Sequence, residues 1–77
     1  MAKESELINH LRRLRFEHDE MTQEALAGRA GVTRQTIIAI ESGRYAPSLP
    51  LALRLAAVFE LPVESVFALR TADKRPR

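Results

Sequence analysis

The sequence has no cysteine. Disulfide staples are therefore excluded, and a structural zinc site built on Cys-His clusters is argued against. A reducing cytosol suits such a composition. Long apolar runs are missing as well. The first, Leu7-Ile8, is broken at once by Asn9 and His10, and no window approaches the roughly 18 apolar residues that a membrane span requires. Strand alternation, internal repeats and low-complexity blocks are also absent. What remains is one small cytoplasmic domain with no membrane partner. A chain of 77 residues hides only about 60% of its unfolded surface on folding, so its stability margin is thin. Pairing with a second copy is one way to bury more.

The charge is uneven along the chain. The formal net charge is only +2, yet the isoelectric point is near 9.7 because arginine dominates the bases. Between Arg29 and Arg54 stand four arginines and one acid, Glu41, a net of +3. Residues 55–69 carry two acids and no base, and the stretch from Arg70 onward is basic again. A basic middle suits a polyanion partner, although an ordinary solvated arginine surface has the same composition.

Every clear segment has helical period. Leu7, Ile8, Leu11, Leu14 and His18 repeat at helical spacing and predict a first helix, with Ser5 as its cap and Asp19-Glu20 at its end. Thr22 stands where a second cap belongs, before Gln23, Glu24 and the small residues up to Ala30. Gly31 supplies a turn with positive φ, and Val32 plugs the corner. Thr33 caps a third helix from Arg34 to about Ser42, which Gly43 ends. Ser48 caps a fourth, with Pro50 tolerated in its first turn and the apolar run Leu51 to Phe59 beyond. Pro62 resets the chain, and Val63 to Leu69 reads as a fifth short helix with Val63, Val66 and Phe67 on one side. The expected architecture is all-α, five helices over residues 1–69, followed by a basic, disordered tail at 70–77.

Helix, tight turn, helix from Thr22 to Ser42 is the helix-turn-helix arrangement, whose second helix can lie in a DNA major groove. A wheel at about 100° per residue places Ile37, Ile40 and Thr33 toward the core. Gln35, Ala39 and Ser42 fall on the far side, flanked by Arg34 and Ile38. That face carries no acid. Arginine suits guanine O6 and N7, glutamine suits adenine N6 and N7, an apolar side chain meets a thymine methyl, and alanine lets the backbone sit deep. Ile38 reads equally well as a groove contact or a peripheral core residue.

The motifs Thr22-Gln23-Glu24-Ala25-Leu26-Ala27, Gly31-Val32-Thr33-Arg34-Gln35-Thr36-Ile37, Ile40-Glu41-Ser42-Gly43-Arg44 and Pro47-Ser48-Leu49 together resemble the Cro/phage-repressor-like (XRE) helix-turn-helix family. The resemblance runs from about Ile8 to Phe67. It implies five helices round one core, a lambda-repressor-like fold, a two-fold homodimer and binding to double-stranded operator DNA. Carried over by position, Arg34 and Gln35, with Ile38 and Ala39 beside them, would read bases. Gln23, Thr33, Ser42 and Arg44 would hold the sugar-phosphate backbone. The family commonly has glycine where this chain has Asp19 and Glu60, which leaves both helix ends open to a different closure.

Other groups carry weaker readings. Val63, Val66 and Phe67 are assigned a share in both the core and a dimer contact. Glu41 is taken as structural, within reach of an arginine such as Arg29, and Arg12, Arg13 and Arg15 as a solvated helix face. His10 and His18 lack the partners of a metal set. Glu17, Asp19 and Glu20 lack a nucleophile or pocket, so no catalytic chemistry is expected. No metal, cofactor or small-molecule effector is implied. The expected function is a transcriptional regulator, with repression favoured. The rivals are a DNA-binding antitoxin, which uses the same domain, and a protein-interaction module that has lost DNA binding.

Overall fold

The computed structural model describes residues 7–70. The order is β1 (Leu7–Asn9), α1 (Leu11–Glu17), α2 (Gln23–Ala30), α3 (Arg34–Glu41), α4 (Leu49–Val58), a 3₁₀ turn (Val63–Ser65) and β2 (Phe67–Leu69). The helical class and the central helix-turn-helix are as expected. The ends are not.

Three caps lie where the sequence places them. Thr22 Oγ1 accepts from the Ala25 N–H at 2.9 Å, Thr33 Oγ1 from Thr36 at 3.2 Å, and Ser48 Oγ from Leu51 at 3.3 Å. Each satisfies one of the amide groups that a helix start leaves without an internal partner. Gly43 ends α3 at φ 83°, where the Arg44 N–H returns to the Ala39 carbonyl and the Gly43 N–H to Ile40. That is a Schellman closure. α4 closes in the same way around Glu60 at φ 57°, and the α1–α2 turn holds Asp19 and Glu20 at φ 64° and 53°. The chain therefore keeps the left-handed geometry at Asp19 and Glu60 without glycine, at a steric cost.

The interior is a single cluster. Leu11, Leu26, Ile37 and Leu55, one from each helix, meet Val66 beside β2, and all five are 0% exposed. Each such side chain stabilises the fold by about 1.5–3 kcal/mol relative to exposure. α4 is also tied to the end of α2 by the Arg54 guanidinium, whose Nε donates to the Ala30 carbonyl at 3.0 Å.

Two expectations about the ends are corrected. The first helix begins at Leu11, because Leu7 to Asn9 pair as a strand. The expected fifth helix is a short 3₁₀ turn followed by β2. The two strands run antiparallel, with Leu7 opposite Leu69 and Asn9 opposite Phe67. The His10 N–H extends the clasp to the Val66 carbonyl at 2.9 Å. Spacing alone could not separate these cases, since a short apolar run fits either period. A distant partner strand decided it. Ser5 and residues 71–77 lie outside the described residues.

Val66 is completely buried and Phe67 is 8% exposed, both inside the domain's own core, with Val63 packed against it. The core half of that assignment is what the structure has. Val66 has no surface left for a second copy.

Candidate nucleic-acid interface

The site is built on α2, its turn and α3. Gly31 turns the chain at φ 79°, and the Val32 N–H closes onto the Ala27 carbonyl at 3.0 Å. Val32 packs against the core and fixes the corner between the helices. Ile37 and Ile40 anchor α3 inward, at 0% and 1% exposure. The opposite side is thereby turned to solvent. Arg34, Gln35 and Ser42 are exposed, and Ile38 and Ala39 are half-buried between the two sides. Thr33 and Arg44 are exposed at either end, and Gln23 is half-buried at the start of α2. Ile38 thus lies neither in the core nor fully free.

The acid nearest this face is turned away from it. Glu41 receives Arg15 through both oxygens, from Nε to Oε2 at 2.7 Å and from Nη2 to Oε1 at 3.0 Å. Their side chains are only 10% and 14% exposed. Arg15 Nη1 also donates to the Met21 carbonyl at 2.8 Å, and Gln23 Nε2 donates to Glu41 Oε1 at 3.1 Å. One network therefore joins α1, the entry to α2, and α3.

This corrects two expectations. The partner of Glu41 is Arg15 and not Arg29, which stands on the exposed side of α2. Arg15 does not belong to the solvated face. A signal was available: Arg15 follows Leu11 by four residues, a core-side spacing, and Glu41 follows Ile37 by four in the same way. Opposite charges at two core edges point to each other.

Asn9 was also missed. Its Nδ2 donates to the Ile40 carbonyl at 3.0 Å and its Oδ1 accepts from the Leu11 N–H at 3.2 Å. One side chain thus ties the end of α3 to the start of α1. His18 leaves the helical stripe and sits at the end of α1, its Nδ1 2.9 Å from the Leu14 carbonyl and its ring edge-on to Phe59.

Chemically, the outer side of α3 holds donors, an amide, methyl groups and no carboxylate. Among the described residues the ion pairs are Arg13–Glu17 and Arg15–Glu41, so neither Arg34 nor Arg44 is held by an acid. No group of three or more His, Cys, Asp or Glu among the described residues is placed to hold a metal. No helix among them is long and apolar enough to cross a membrane.

A capped, two-helix unit with an anchored inner side and a polar outer side defines the class of small helical DNA-binding domains. The model of the family described as "Helix-turn-helix" matches residues 11–66, and the chain belongs to that family. Similar proteins span archaea and bacteria. An uncharacterized HTH-type transcriptional regulator of Methanocaldococcus jannaschii is 51% identical over 59 residues, covering 77% of this chain and 88% of the relative. Another, from Methanothermobacter thermautotrophicus, is 60% identical over 50 residues, 64% and 72% of the two chains. The uncharacterized HTH-type transcriptional regulator YgzD of Bacillus subtilis is 52% identical over 48 residues, 62% and 73% of the two. The family is a DNA-binding class and not an enzymatic one.

Proposed function

We propose that the protein is a sequence-specific regulator of transcription of the Cro/phage-repressor-like division, binding double-stranded DNA in the cytoplasm as a homodimer on an inverted repeat. The observation that carries this reading is the outer side of α3, which is held outward by Ile37 and Ile40 and has its one nearby acid withdrawn into a network with Arg15. Arg34 and Gln35 read base edges, with Ile38 and Ala39 against the groove. Gln23, Thr33, Ser42 and Arg44 hold phosphates and set register. Thr33 does this from a cap position, and Ser42 while its hydroxyl donates to the Ala39 carbonyl at 3.1 Å. Bound across a promoter, such a dimer represses by occluding polymerase.

Two features support a dimer. The outer side of α4 exposes Leu49 and Leu53, 67% and 50%, close in sequence to the exposed Tyr45. Leu49 and Leu53 offer a seam that the buried Val66 and Phe67 do not. The described residues span 37 × 29 × 22 Å, a size that lets two copies side by side set their recognition helices about 34 Å apart, one turn of DNA. The test is selection of bound sequences from a random duplex pool. An enriched inverted repeat is expected. A single unrepeated site would remove the homodimer, and no enrichment would remove sequence-specific binding.

A further inference from the structure

The network behind the recognition helix gives Glu41 a task beyond joining helices. We propose that Glu41 is a positioning residue for the phosphate contact at the start of α2: its carboxylate sets the rotation of the Gln23 amide so that an N–H, and not the carbonyl, faces the DNA backbone. This rests on the reading of Gln23 as a phosphate contact.

A glutamine amide has a donor end and an acceptor end of nearly equal shape, and left free it presents either. An ionised carboxylate only accepts. Gln23 Nε2 lies 3.1 Å from Glu41 Oε1. Turning the amide over would put two acceptors at that distance. The same nitrogen keeps a second N–H, and a DNA phosphate is likewise an acceptor of charge-assisted bonds. One amide nitrogen can then bridge the carboxylate and the phosphate.

The arrangement works only if Glu41 is itself fixed and neutralised. Arg15 does both, by gripping the two carboxylate oxygens and by binding the Met21 carbonyl two residues before Gln23. With side chains only 10% and 14% exposed, the pair is weakly screened by water. Its guanidinium cancels a charge that would otherwise repel phosphate. An ion pair that merely held α1 to α3 would not require the bond to Gln23.

The test is a double-mutant cycle of Gln23→Ala and Glu41→Gln, read as affinity for a short mixed-sequence duplex at low ionic strength, where phosphate contacts dominate. Folded fraction is matched by thermal melting. Gln23→Ala is expected to weaken binding about tenfold in the parent, and less than about threefold in the Glu41→Gln background. Equal losses in both backgrounds overturn the inference while leaving DNA binding intact. If Glu41→Gln does not fold, NMR relaxation of the parent's Gln23 side-chain amide decides instead. A rigid amide, one of whose protons shifts on adding duplex, supports the inference. Fast internal motion, or no shift, overturns it. A parent protein that binds no duplex removes the DNA reading itself.

Discussion

The two sides of α3 share eight residues and obey different physics. The inner side is apolar and rigid: Ile37 and Ile40 are buried, and Glu41, at its edge, is held by Arg15. The outer side, Arg34 and Gln35, is exposed and carries side-chain donors. A small domain can vary what it recognises because the outer residues contribute little to folding. It cannot vary the inner ones in the same way, since a core this small has few other anchors.

Substitutions on the two sides should therefore fail in opposite ways. The largest effect is expected from Ile37→Ala, which leaves a cavity and costs about 2–5 kcal/mol in urea unfolding. That is a large part of the stability such a domain has. An unchanged unfolding midpoint would show that Ile37 does not anchor the helix. Arg15→Met comes next. It strands the Glu41 carboxylate at 10% exposure and should cost about 2–3 kcal/mol, less than for a fully buried pair.

On the outer side, Arg34→Ala and Gln35→Ala should leave the melting temperature unchanged and weaken binding to a selected site by about 1–3 kcal/mol, with relaxed preference at one or two positions. Arg44→Ala should weaken binding to every sequence alike. Identical profiles for Arg34→Ala and Arg44→Ala across operator variants would erase the distinction between readers and clamps. The smallest effect lies at the end of α4. Glu60→Gly relieves a left-handed φ of 57° and should raise stability by about 0.5–1 kcal/mol, the steric relief less the entropy of glycine. A loss in thermal melts would mean that the Glu60 side chain does more than fill the turn.

The middle of this molecule was legible in its sequence because its signals are local. Thr22, Thr33 and Ser48 act on amides three residues ahead, and Gly31 and Gly43 mark turns by their own backbone. The wheel of α3 separates inner from outer residues correctly for Ile37, Ile40, Arg34 and Gln35, but it turns Thr33 inward, where the structure has it exposed as the cap, and Ala39 outward, where it is half-buried. What escaped is non-local. Leu7–Asn9 becomes a strand only because Phe67–Leu69 lies beside it. Arg15 and Glu41 are 26 residues apart, and Asn9 and Ile40 are 31 apart. Asp19 and Glu60 show the reverse case. Their positions marked the turns, but their identities did not reveal that the chain would accept the strain.

Titration of ¹⁵N-labelled protein with the duplex chosen from the random pool would report, residue by residue, where DNA lies. The largest backbone shifts should fall from Thr33 to Ala39 and at Gln23, with little change across β1, β2 and the 3₁₀ turn. Shifts confined to the sheet and the outer side of α4, with α3 silent, would mean that this helix does not enter the groove.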